Sequence, residues 1–349
     1  MIQFTNHCAA IRLGAERISG AFLKNPEDKM KNSKQIRATF LLMLTAVIWG
    51  LAFVAQEVGA AFLGTFSFNG IRFMLGAVSL IPVILLFERE KMNGAKRKKL
   101  FVSSLVAGTV LFLASALQQY GVQLGTPAGK AGFITGLYTV IVPILSLILF
   151  RKKTHLLVWA GAVLAVAGLL LLNLDENFNL VIGAGECCLI AGSVMWAVHI
   201  LVIDRFVTSV SPLKFSAGQF TVCGIESLLC AFLWENMSLS AIQSAAVPLF
   251  YGGIMSVGVA YTCQALGQKD SDPTVAAIVF SMESVFSVIG GVLILHARMA
   301  WQAYAGCALI FAGIIIAQLT PSGKKEENSR LVFTQTETGK KRMELPAKV

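Results

Sequence analysis

The residues that could do chemistry in this chain are few, and most of them sit inside long apolar runs. Glu283 is the sharpest case. It lies ten residues into a hydrophobic stretch, with Ser284, Ser287 and Gly291 on the same helical face at spacings of three and four. A charged side chain in the middle of a membrane helix costs about 2.5–3.5 kcal/mol on insertion scales, so it asks for a reason. A carboxyl there could exchange a proton or pair with a cationic part of a solute. An earlier apolar run carries a second polar stripe: Tyr138, Thr139, Val142 and Ser146. Two such stripes at matching depth are what a shared central cavity would require. The alternative is that Ser and Gly only permit close packing while Glu283 bonds a neighbouring helix.

Other polar groups in apolar runs divide in the same way. Gln119 and Gln264 stand near the ends of two runs and could hold a polar solute or satisfy backbone opened there. Trp49 and Trp196 lie too deep for an interfacial belt, as cavity walls or as core. Glu226 is expected to make a structural hydrogen bond, His199 to be a satisfied interhelical histidine, and Glu186 to sit where water reaches it. Arg72 is expected to snorkel from near a helix end. Gly121, Gly125 and Gly129 allow close backbone approach or a flexible gate. Gly125 to Ala131 faintly mimics a phosphate loop, but it is one residue short, lacks the Ser/Thr after Lys130 and follows no strand. Asn236-Met237-Ser238 is a sequon on a short loop. Six of the seven cysteines fall in apolar runs without ligand spacing, as small buried hydrophobes. No metal or cofactor is called for.

These residues need a scaffold, and the composition names its class. Only 14% of the 349 residues are charged, 56% are hydrophobic, and mean hydropathy is +0.71. A soluble domain would carry about a quarter charged residues. The net charge of +10 sits in tails and short loops, which marks membrane orientation and argues against nucleic acid as a partner. A bilayer core of about 30 Å takes roughly 20 apolar residues per helix. Runs near 38–56, 67–87, 100–120, 130–150, 156–174, 182–203, 214–234, 246–267, 273–296 and 301–320 predict ten spans. The fold class is therefore all-α and integral to the membrane, with the lipid bilayer as an obligatory partner.

Charge then orients the spans. The basic tail 1–37, loop 88–99 with six Lys/Arg, Arg151-Lys152-Lys153, and the loops with Arg205, Lys214 and Lys269 alternate with loops 57–66, 175–181 and 235–245, which hold none. Lys130 and Arg298 are exceptions. Both termini are expected in the cytoplasm, the C-terminal one as the tail 321–349. Residues 1–37 hold no uninterrupted apolar core and are not expected to act as a secretory signal peptide. Met30 offers a second start, so residues 1–29 are expected to be dispensable.

The two halves repeat. At an offset of 145, Gln119 falls on Gln264, Gln123 on Gln268, Gly161 on Gly306 and Gly168 on Gly313, while Trp49 meets Trp196 at 147. Segments 38–174 and 182–320 then hold five helices each, and an odd number inserts them oppositely. Two inverted five-helix repeats are the architecture of alternating-access carriers, with the site between repeats near the midplane. A small-molecule solute, with H+ as a coupling ion, is the partner such a cavity would take. Two other classes stay in view: an intramembrane enzyme acting on a lipid or prenyl substrate, which would need clustered carboxylates with metal or an activated nucleophile, and a non-transporting scaffold, which should carry a sizeable extramembrane domain.

The run Gly132-Phe133-Ile134-Thr135-Gly136-Leu137-Tyr138-Thr139-Val140-Ile141-Val142-Pro143, then Arg151-Lys152-Lys153, Trp159-Ala160-Gly161 and Ala167-Gly168, resembles the EamA family of the drug/metabolite transporter superfamily. Trp49-Gly50-Leu51-Ala52-Phe53, Ile71-Arg72-Phe73 and Trp196-Ala197 do so too, and 264–313 resembles the second copy. The resemblance implies a ten-helix bacterial-type permease of the cell membrane, exporting or exchanging metabolites, amino acids or drugs. The family often places Glu at the ends of the fourth and ninth helices. Here Phe150-Arg151 and His296-Ala297-Arg298 stand there, so a coupling role for those carboxylates does not carry over. Pro143 likewise has Val288 as its repeat equivalent.

Overall fold

The computed structural model describes residues 26–88, 92–151, 155–173, 183–296 and 301–319, and every element among them is helical. The outer tails, the basic segments 89–91 and 152–154, the whole acidic loop 175–181, and Arg298 lie outside the described residues. In chain order the helices are α1 (Pro26–Ala60), α2 (Thr65–Phe87), α3 (Gly94–Gln123), α4 (Ala128–Thr135), α5 (Tyr138–Phe150), α6 (Leu156–Asn173), α7 (Ala184–Phe206) and α8 (Pro212–Trp234). A short α9 (Leu239–Ser244) follows. Then come α10 (Ala246–Phe250), a π-helical segment (Tyr251–Tyr261), α11 (Thr262–Gln268), α12 (Pro273–Phe280), α13 (Met282–Leu295) and α14 (Trp301–Gln318).

Among the described residues, eight stretches are long and apolar enough to cross a membrane. Five are single helices, with α1 apolar from Lys34 onward. The other three, Ala128–Phe150, Ala246–Gln268 and Pro273–Leu295, are composite. Two shorter apolar stretches, Leu156–Gly168 and Tyr304–Ala317, belong to α6 and α14. Large side chains such as Phe87, Phe232, Val247 and Leu156 point outward and are exposed. That is the surface a bilayer requires and water would penalise.

Polar contacts hold the helix ends in two groups. At one end Ser211 donates to Glu88 and caps Lys214 N of α8, while Lys214 pairs with Glu88 at 3.8 Å. At the other end the Glu235 carboxylate accepts from Phe66 N (2.9 Å), Ser67 N (2.7 Å) and Ser67 Oγ (2.6 Å) at the start of α2. There too Glu57 accepts from Ala128 N at 2.7 Å, opening α4. Carboxylates at helix N-termini satisfy orphan donors and match the positive end of the dipole. Lys130 and Glu186 pair at 2.7 Å, so the basic exception of the loop pattern is neutralised locally.

Inside, the helices pack in matched pairs: α6 on α14, α2 on α8, α3 on α7, α1 on α13, and α2 on the π segment. Lipid tails are as apolar as leucine, so such contacts rest on close approach of small residues. A Cβ on Gly161 would sit 2.6 Å from the Gly313 carbonyl, and one on Gly168 would sit 2.5 Å from the Gly306 carbonyl. A Cβ on Gly50 would lie 2.6 Å from the Glu283 carbonyl, which brings α1 hard against α13.

Two spans read from the sequence as continuous are broken, at matched places. Leu137 N bonds Ile134 O and Thr139 N bonds Gly136 O, an i+3 pattern that separates α4 from α5. Ser281 N bonds Ile278 O and Ser284 N bonds Ser281 O between α12 and α13. Such a tightened turn rotates the following helix relative to the first. Both spans also end alike, on left-handed residues: Arg151 at φ 51° and His296 at φ 54°.

Candidate functional site

The breaks place Tyr138 and Glu283 at the first position of α5 and the second of α13, facing each other. The Tyr138 hydroxyl donates to Glu283 Oε1 at 2.9 Å, and both residues are buried, at 3% exposure each. They line one shared cavity. Among its walls are Trp49, Phe53 and Gln56 from α1, Arg72 from α2, Gln118 from α3, Thr135 from α4 and Trp196 from α7. The π segment and α11 add Ser256, Tyr261 and Gln264.

Aromatic rings form one wall. Trp49 lies 4.7 Å from Tyr261, 5.3 Å from Phe280 and 6.4 Å from Trp196 between centroids. Each indole N–H is used: Trp49 Nε1 donates to Ser256 O at 3.3 Å, and Trp196 Nε1 to Gln118 Oε1 at 2.7 Å. Gln118 Nε2 then donates to Gln56 Oε1 at 2.9 Å, so three helices share one hydrogen-bonded chain. The Trp49 acceptor is a carbonyl within the π segment, where the helical ladder is shifted. Gln264 has a buried Oε1 without a partner. Formal charges of opposite sign, Arg72 and Glu283, meet this space, and no ion pair joins them.

This geometry provides a polar, aromatic-walled chamber between spans, with one acid, one base and spare amide capacity. Among the described residues no group of three His, Cys, Asp or Glu gathers to hold a metal. The EamA-like transporter family profile matches the chain twice, over residues 36–174 and 183–319. The chain belongs to the EamA-like transporter family. It is a membrane transporter, as its relatives are named. An uncharacterized transporter of Archaeoglobus fulgidus is 23% identical over 287 residues, covering 82% of this chain and 87% of its own. The uncharacterized transporter YoaV of Bacillus subtilis is 23% identical, covering 81% and 97%. A probable amino-acid metabolite efflux pump of Escherichia coli is 24% identical, covering 79% and 93%. A solved crystal structure shares the fold at a TM-score of 0.67 and 21% identity, covering 81% of this chain and 96% of its own.

In this EamA-like chain the residues singled out from sequence separate into two sets. Glu283, Tyr138, Trp49, Trp196 and Gln264 line the cavity. Thr139, Ser284 and Ser287 turn into helix contacts instead. Thr139 Oγ1 donates to Ala277 O at 3.3 Å, Ser284 Oγ to Gly132 O at 2.8 Å, and Ser287 Oγ to Ser284 O at 2.8 Å. Gln119 donates to Gln56 O at 3.3 Å and keeps a buried Oε1 unpartnered, while its neighbour Gln118 takes the cavity wall. Arg72 corrects the snorkelling expectation: it is 2% exposed and turns inward to the cavity, because Asn69 and two phenylalanine rings hold it there. Glu226 accepts from Thr109 at 2.7 Å between α3 and α8, the structural bond expected. His199 Nε2 pairs with Gln219 Oε1 at 2.9 Å, yet its Nδ1 has no partner. Arg72, Gln118, Gln56 and Tyr261 are among the lining residues that sequence reasoning missed. For Gln118 the signal was present, since adjacent glutamines cannot share one helical face.

Proposed function

We propose that this transporter is a ten-span secondary carrier of the cell membrane that exports a small polar solute of the amino-acid or drug-like metabolite class by alternating access. Its two units, 38–174 and 182–320, are inverted repeats, and both termini lie in the cytoplasm. The pairing of contacts supports the repeat reading. Thr139 reaches the carbonyl of Ala277 while Ser284, its equivalent at an offset of 145, reaches that of Gly132, the equivalent of Ala277. Gly161 with Gly313 and Gly168 with Gly306 follow the same rule. The observation that carries the function is the hydrogen bond from Tyr138 to Glu283, equivalent positions that meet at the cavity. A pair on the axis between repeats is where rocking of one unit against the other changes geometry least around a bound solute.

Glu283 is the residue for proton or cation coupling, Trp49, Trp196, Tyr138 and Gln264 form the solute wall, and Thr139, Ser284, Ser287 and Gln119 set the helices that carry them. The efflux-pump name of the Escherichia coli relative supports the outward direction and the solute class. Purified protein in liposomes, screened for exchange of labelled amino acids and cationic drugs, tests this directly. Saturable exchange of one class supports it; flux no greater than in empty vesicles for both classes contradicts it. Orientation is tested by an impermeant thiol reagent on Lys96→Cys in a variant without other accessible cysteines. Labelling is expected in broken cells only, and labelling of intact cells would overturn the assignment.

A further inference from the structure

Arg72 is a buried cation in a membrane interior, and among the described residues no carboxylate forms an ion pair with it. Its Nε donates to Asn69 Oδ1 at 3.0 Å, and Asn69 Nδ2 is itself anchored on the Ser115 carbonyl at 3.0 Å. The guanidinium carbon lies 4.9 Å from the Phe73 ring centroid and 5.5 Å from that of Phe68. These contacts fix the guanidinium in place and leave its two Nη amines without a protein acceptor among the described residues. A charge of this kind, 2% exposed and on the wall of a cavity, needs an anionic partner. Guanidinium presents a planar fork whose parallel N–H bonds match a carboxylate. Glu283 shares the chamber, so a doubly charged group such as phosphate would be repelled more strongly than a single carboxylate.

We propose that Arg72 is the anion subsite of the cavity and grips the carboxylate of the transported solute, with Asn69 as the positioning residue behind it. This rests on the transporter reading above and adds an end-to-end orientation: carboxylate toward α2, the remainder of the solute toward the aromatic wall and Glu283.

The test uses the full-length protein in liposomes and a fixed probe panel, the twenty proteinogenic L-amino acids and their C-terminal amides. At least one acid is expected to exchange, with its amide slower by more than about tenfold, because the amide cannot accept both N–H bonds as an anion. Arg72→Gln should abolish that exchange and Arg72→Lys should restore part of it. Asn69→Ala should raise the half-saturating concentration several-fold with less effect on maximal rate. An amide that exchanges as fast as its acid in the native protein overturns the subsite even if Arg72 variants fail to fold, and leaves transport standing. So does native-rate exchange by Arg72→Gln. Exchange of none of the panel overturns both this subsite and the amino-acid class proposed above.

Discussion

At the α6–α14 crossing the two family-matched segments meet through glycine. Gly161 and Gly168 lie against the carbonyls of Gly313 and Gly306, with no side chain between them. At the crossing of α4–α5 with α12–α13 the same segments meet through hydroxyls, a phenol and a carboxylate, and both helices are broken by a tightened turn. The first crossing leaves no space and offers no chemistry. The second opens onto a cavity, and its equivalent positions have diverged into Tyr138 and Glu283. Where the matched residues are identical the contact is close glycine packing; where they differ, a phenol and a carboxyl meet at the cavity.

That contrast can be broken from either side. The largest effect is expected at the glycine crossing. Gly161→Leu forces a branched side chain where even a Cβ would stand 2.6 Å from a carbonyl. Overpacking of this kind costs about 1–3 kcal/mol or more, and a rigid α6–α14 contact cannot give way. The variant should lose its single gel-filtration peak in detergent and melt far below the native protein. A native melting curve would show that the crossing is loose.

The broken crossing should respond in function before stability. Tyr138→Phe deletes one hydrogen bond to Glu283, worth about 1 kcal/mol. Exchange in vesicles should fall several-fold while the melting temperature moves by only a few degrees. A fall in stability with unchanged exchange would reassign Tyr138 to packing.

How much of this was legible in sequence follows from what each feature depends on. Of the ten expected spans, eight are long and apolar enough among the described residues, and these were legible because a bilayer of fixed thickness demands about 20 apolar residues whatever packs around them. The break at Ser281 was not, since no proline stands there and serine is ordinary in a membrane helix. The π segment Tyr251–Tyr261 left no trace either, because its hydrophobicity matches an α-helix of the same length. Glu283 stood out because an acid at that depth is costly wherever it faces. Arg72 misled, since snorkelling and inward turning differ only in what surrounds the side chain, and Phe68, Asn69 and Phe73 became informative once placed in space. Ser284 and Ser287 share a helix with Glu283, yet a small polar stripe serves close packing as readily as a cavity wall.

The smallest effect sharpens the comparison. Thr139→Val and Ser284→Ala each remove one interhelical hydrogen bond. Such bonds average about 0.6 kcal/mol in a membrane, so melting should shift by about a degree or two and exchange should persist. Loss of exchange in Ser284→Ala at native stability would return that serine to the solute site.

The central claim is that Glu283 acts on the solute or the proton at the crossing of the broken helices. Glu283→Gln keeps the shape and the hydrogen bond from Tyr138 while removing the charge. Its exchange in liposomes, followed between about pH 5 and about pH 8, is the most direct test. Folding and melting should stay close to native, while exchange is abolished or loses its pH dependence. Exchange at the native rate across that range, with Glu283→Leu failing to fold, would make Glu283 a structural residue and contradict the account.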